Sequence, residues 1–177
     1  MHACLVIRHG AAQEFGPTGR DEDRALTSEG HVDMERIAIG LAAATRPVEA
    51  VITSPFQRAH ETAAIVASAL GNLPIRTEPA LASGAEPEVM LAAIAAHFEG
   101  NGGGVAVVGH EPDLGQFISY ALAGTTRSFH PLRKGAACLL ELPALPRAGN
   151  ASLEWALDPV HLRALAPCAR DRRGASA

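Results

Sequence analysis

Three places in the chain put an imidazole or a guanidinium just after an apolar run. CLVI runs into Arg8, His9 and Gly10; VEAVIT runs into Ser54-Pro55, with Arg58 close behind; VAVVG runs into His110. An arginine fork donates parallel hydrogen bonds to phosphate oxygens. A neutral imidazole nitrogen can attack phosphorus and hold it covalently. Two arginines and two histidines gathered in one place therefore suit a phosphoryl group, with His9 attacking phosphorus and Arg8, Arg58 and His110 stabilising its oxygens. A single basic residue at a strand end is ordinarily just solvated. Three matched placements on three strands point to a site. The same arginines repel a cation, and no HxH or HExxH motif offers metal ligands, so neither a metal nor another cofactor is expected.

Elements able to position these residues follow from the apolar pattern. Residues 3–8 read as a strand buried on both faces, and 10–26 as a long polar loop. Thr27 or Ser28 caps a helix whose inner face carries Met34, Ile37, Ala38 and Leu41. A strand over 48–53 leads into a helix ending near Leu70, with Thr62, Ile65, Val66, Ala69 and Leu70 inward. A short strand over 74–77, a helix over 87–98, a turn over 100–104 and a strand over 105–109 follow. Asp113 is read as the N-cap of the next helix, striped by Leu114, Phe117, Ile118, Ala121 and Leu122. Residues 136–142 and 152–158 read as two final strands. This alternation predicts an α/β fold: a three-layer sandwich with a mainly parallel central sheet, helices on both faces and an antiparallel edge. In such sheets ligands sit beyond the carboxyl ends of the strands, where Arg8, His9, Arg58 and His110 all fall. Gly10 is expected to let the chain turn away beneath the phosphoryl group. Residues 1–165 form one expected domain and 166–177 a frayed tail.

Composition narrows the function classes. The 177 residues are 47% hydrophobic and 19% charged, an ordinary globular balance, and the net charge of −4 leaves no basic surplus for nucleic acid. Cys4, Cys138 and Cys168 are odd in number and without a CxxC, against a disulfide framework or a zinc site; Cys4 and Cys138 read as core. With no leader pattern and no apolar run of about 20 residues, a cytoplasmic protein without membrane contact is expected, as a monomer or weak oligomer. His60 reads as solvent or groove rim, His97 as a helix-end charge, His130 and His161 as surface, and Trp155 as core.

In order along about residues 3–160, RHG, LTSEG, SPFQRAHET and VVGHEPDLG resemble the histidine phosphatase superfamily, and within it the SixA-like phosphohistidine phosphatase branch. The resemblance implies a phosphoglycerate mutase-like fold, His9 as the phosphorylated residue, and Arg8, Arg58 and His110 as the phosphate pocket. Arg24 matches a position that can add positive charge near the pocket; a solvated loop residue is the equal alternative. Mutase-like members carry a long insertion with a glutamate acid, whereas TEPALASGAEPEV is short here. Glu86 and Glu88 are candidate acids, with Glu14, Asp21, Glu22 and Asp23 as rivals, and the choice among them stays open. Lack of a clear acid fits P–N cleavage better than P–O cleavage, because an imidazole nitrogen leaves more easily than an alkoxide. The expected activity is removal of a phosphoryl group from phosphohistidine on a signalling or phosphotransfer protein. A small-molecule phosphomonoesterase, or a non-catalytic phosphate- or phosphoprotein-binding module, is the alternative.

Overall fold

The structure, a computed structural model, describes residues 1–98 and 103–166. Most of the expected turn over 100–104, nearly all of the expected tail and Cys168 lie outside the described residues. Six strands form one sheet in the order β3-β2-β4-β1-β5-β6. In chain order the elements are β1 His2–Arg8, α1 Ser28–Ala44, β2 Val48–Thr53, α2 Gln57–Ala69, β3 Ile75–Thr77, α3 Pro87–Ala96, β4 Gly104–Gly109, α4 Asp113–Ala123, β5 Ala137–Leu142, β6 Ser152–Leu157 and α5 Pro159–Leu165. Strands β1 to β4 are mutually parallel where paired, while β5 and β6 add an antiparallel edge. The expected sandwich is therefore observed.

The chain skips from β1 to β2, runs to the edge at β3, and returns to slot β4 between β1 and β2. That return places the carboxyl ends of β1, β4 and β2 side by side, with the segments bearing His9, His110 and Ser54 as neighbours.

Two apolar layers clamp the sheet. Ala3, Leu5 and Ile7 of β1 face one layer, with Met34, Ile37 and Leu41 of α1, Val66 of α2 and Leu162 of α5. Cys4 and Val6 face the other, with Met90 and Ile94 of α3 and Phe117 and Ile118 of α4. The alternation is the period-two rule of a strand buried on both sides. Cys4 and Cys138 are free core thiols, and burial pushes the Cys4 thiol up to about 12, which keeps it unreactive.

Some local readings change. Thr27 caps α1, its side chain accepting from Gly30 N. Asp113 does not cap α4: Pro112 holds the cap position, and the Asp113 carboxylate accepts from Gly84 N at 2.9 Å, tying α4 to the loop before α3. Gly10 has a packing reason besides the turn expected of it. A Cβ there would lie 2.6 Å from Met34 Cγ, so α1 presses against this turn. The sequence reading had no helix after β6. Asp158 before Pro159 is the signal for α5, since proline suits the first helical position.

Candidate active site

The strand alternation carries on past β1. Arg8 continues the Cys4–Val6 side, toward α4, and His9 continues the Leu5–Ile7 side, toward α2. Neighbouring residues thus enter the site from opposite layers.

His9 is 6% exposed. Its Nδ1 lies 2.8 Å from Gly10 O, and a carbonyl can only accept, so Nδ1 carries the hydrogen. Nε2 is then the unprotonated nitrogen, and it accepts from Arg58 Nε at 3.3 Å. Burial pushes the His9 imidazole down to about 3, with His110, Arg58 and Arg8 adding to the effect against the Gly10 carbonyl. A neutral ring with a lone pair facing a guanidinium is equipped to take a phosphoryl group.

Arg58 rises from the first turn of α2, 5% exposed. Its Nη1 donates to Asp21 O at 2.6 Å and its Nη2 to Asp21 Oδ2 at 2.8 Å. The Phe56 ring backs it, with the guanidinium carbon 5.1 Å from the ring centre, and also lies 4.9 Å from the His110 ring. Thr62, read from sequence as helix packing, accepts from Gly10 N at 3.2 Å and donates to Arg58 O at 2.8 Å. This hydroxyl couples the His9 turn to α2.

His110 follows β4, 2% exposed, its ring centre 5.0 Å from that of His9. Its Nε2 lies 2.7 Å from the hydroxyl of Ser54, which also accepts from Phe56 N at 3.2 Å. Burial first, then Arg58, pushes His110 down to about 4. Arg8 donates through Nη1 to Leu132 O at 2.8 Å. Burial also lowers the Arg8 guanidinium from its ordinary value, opposed by Glu111. Arg8 Nε and His110 Nδ1 are buried with no protein hydrogen-bond partner among the described residues. Such groups call for an explanation, and an oxyanion ligand would use the Arg8 hydrogen.

The structure thus gathers Arg8, His9, Arg58 and His110. Arg24 joins indirectly: its Nη1 donates to Asp21 Oδ1 at 2.7 Å, so one carboxylate bridges Arg24 and Arg58. Of the six candidate acids, Asp21 alone hydrogen-bonds a member of the quartet among the described residues. Arg24, then Arg58, holds its carboxyl below the usual range, which suits an ion and not a proton donor. Glu22 pairs with Arg20 and Asp23 accepts from Thr18, while Glu14, Glu86 and Glu88 are exposed. A groove of about 650 Å³ runs beside the site, lined in part by Glu22, Asp23, Phe56 and His60. His60 is therefore a rim residue.

Sequence reasoning gave no role to Ser54, Phe56 or Glu111. Glu111 accepts from Leu132 N at 2.8 Å, bracing the loop that Arg8 grips, and burial pushes its carboxyl up from the ordinary value. Ser54 was legible as a strand-end hydroxyl, whereas the contacts of Phe56 and Glu111 are tertiary. Among the described residues no three His, Cys, Asp or Glu side chains converge as metal ligands, and no helix is long and apolar enough to cross a membrane.

Comparison with known proteins gives the family and the fold. The family model of the histidine phosphatase superfamily (branch 1) matches residues 4–83. An uncharacterized protein of Picosynechococcus sp. is 31% identical over 132 residues, covering 72% of this chain and 78% of that protein. Phosphohistidine phosphatase SixA of Escherichia coli K12 is 27% identical over 161 residues, 90% of this chain and 95% of that protein. The structure of protein histidine phosphatase SixA complexed with tungstate superposes with a TM-score of 0.78 at 25% identity, covering 90% of this chain and 99% of that one. With family model, relatives and fold in agreement, the chain belongs to the histidine phosphatase superfamily, as a phosphatase.

Proposed function

We propose that this phosphatase removes the phosphoryl group from phosphohistidine on a protein partner, through a covalent phospho-His9 intermediate. The observation that carries the reading is the lack, among the described residues, of a free carboxylic acid at the site. Asp21 is an ion held by two arginines, and Glu111, its carboxyl pushed up from the ordinary value by burial, is committed through Oε1 to Leu132 N at 2.8 Å. Such a site serves a leaving group that needs little help from a positioned acid. The 27% identity with phosphohistidine phosphatase SixA over nearly the full lengths supports the same substrate class.

In the first step the His9 Nε2 lone pair attacks phosphorus in line. The substrate P–N bond breaks, and the departing imidazole nitrogen takes a proton from water. Arg58 Nε, relieved of Nε2, turns its hydrogen to a phosphoryl oxygen, and Arg8 Nε offers another. In the second step water attacks phosphorus, the P–N bond to His9 breaks, and inorganic phosphate leaves with His9 neutral again. The Gly10 carbonyl holds the productive tautomer throughout.

The test is a turnover panel: a phosphohistidine-bearing phosphotransfer domain, a phosphoramidate, sugar phosphates and nucleotides. Loss of label from the phosphotransfer domain, with acid-labile label trapped on His9, is the expected result. Strong turnover of esters with none of P–N substrates would make the chain a phosphomonoesterase instead.

A further inference from the structure

The Arg58 fork already holds an anion, and it belongs to the chain itself. Both terminal nitrogens of Arg58 donate to Asp21, one to the carboxylate and one to the carbonyl, while Nε faces His9 Nε2. A phosphoryl group on Nε2 must bring its oxygens against this same guanidinium. It would then lie beside the Asp21 carboxylate on one cation, and like charges so placed repel. We propose that Asp21 is an internal stand-in for phosphate that must leave Arg58 before a phosphoryl group is seated, and that it thereby selects against free phosphate. The proposal rests on the phosphate-binding role of Arg58 given above.

The surrounding loop is built for such a release. Its neck is closed by an Ala12–Leu26 bridge, by Gln13 N to Ala25 O at 2.8 Å and by Thr27 N to Ala11 O at 2.9 Å. Beyond the neck, the tip holds itself together through Thr18 with Asp23, Gly19 N with Gly16 O, and Arg24 with Asp21 and Gln13. Among the described residues, Arg58 is the one hydrogen-bond partner that residues 14–23 find outside residues 13–24. Breaking those two bonds frees the tip while the neck stays tied. Arg24 is placed to receive the carboxylate, since it already holds the other oxygen at 2.7 Å. The Asp21 side chain is 53% exposed against 6% for Arg58, so its movement costs little burial.

The consequence is selectivity. An internal anion weakens every external anion on Arg58 by the same factor. A phosphoryl group carried on a protein recovers the loss through contacts elsewhere, such as the adjoining groove. Free phosphate, the product, has no such contacts, so the carboxylate returning to Arg58 favours its release.

Calorimetric titration with inorganic phosphate tests this, using the full chain and three variants. Asp21→Asn keeps the backbone carbonyl and removes the charge; it should bind phosphate about fivefold more tightly, the size of one half-exposed ion pair. Product inhibition by phosphate should strengthen by the same factor. Glu14→Gln removes an exposed charge of the same loop that bonds neither the tip nor the pocket among the described residues, and should leave binding at the parental level. Arg58→Gln should abolish binding. Unchanged or weaker binding by Asp21→Asn overturns the proposal, as does an equal gain in Glu14→Gln, which would mean a general charge effect. Parental binding by Arg58→Gln would instead overturn the assignment of the phosphate pocket.

Discussion

Strand β1 begins on one histidine and delivers another just past its end, and the two live in opposite settings. His2 stacks on Phe98, ring centres 4.4 Å apart and nearly coplanar; at the same end of the sheet, on its other face, Arg46 pairs with both Glu141 and Glu154. At the other end one carboxylate, Asp21, is divided between two arginines, and a third arginine keeps Nε without a protein partner. At one end two acid side chains share one arginine, and at the other three arginines, Arg8, Arg24 and Arg58, face Asp21 and Glu111. Both ends have the same strand and the same imidazole. What makes His9 a candidate nucleophile is the surplus of guanidinium around a ring whose hydrogen is committed to a carbonyl.

Exchanging the roles of the two histidines is the sharpest way to break this comparison. His9→Ala should lower turnover of a phosphohistidine substrate by about 10³-fold or more, as loss of a covalent nucleophile does. His2→Ala should leave turnover within about twofold and cost only the stack, about 1 kcal/mol by urea melt. Comparable losses of turnover in both would mean that the site end is not special. A smaller effect comes from the brace. Glu111→Gln keeps the shape and an acceptor for Leu132 N but loses the charge facing Arg8. It should reduce kcat about tenfold with little change in melting, and an unchanged kcat would remove Glu111 from any positioning role.

Acid sensitivity tests the burial of both rings. In the folded protein His9 titrates at about 3 and His110 at about 4, well below the ordinary 6.5, because both are buried. Between those values and 6.5 the unfolded chain binds more protons, so stability falls as pH falls. The slope is at most about 1.4 kcal/mol per pH unit for each histidine. Urea melts from pH 6.5 to 4 should show it, and His9→Gln should flatten it by one histidine's share. A parental curve flat over this window would contradict the buried, neutral rings.

The fold was legible because continuous apolar strands and striped helices alternate, and a buried strand cannot end without delivering its next residues to an edge. Arg8, His9, Arg58 and His110 were legible for the same reason. What sequence could not place were partners set by return of the chain. Phe56 under Arg58, Glu111 beneath the Leu132 loop, and Asp21 on the Arg58 fork join elements far apart in order. Asp113 shows the opposite failure: a strong local preference for capping gave way to a tertiary partner at Gly84. Arg24, open between pocket and solvent, proved to be neither alone, since it reaches Arg58 through the carboxylate they share.

The bond from His9 Nδ1 to Gly10 O carries a lesson for altering this enzyme. Many histidines owe their tautomer to another side chain, and one substitution can erase it. Here the acceptor is main chain, fixed by the strand that precedes it, and no exchange of a distant side chain deletes it. It does not titrate either, so its hold is the same in acid and in base. Redesign for new substrates can therefore vary the loop and the groove while the imidazole keeps its orientation, so long as Arg58 and Thr62 stay in place.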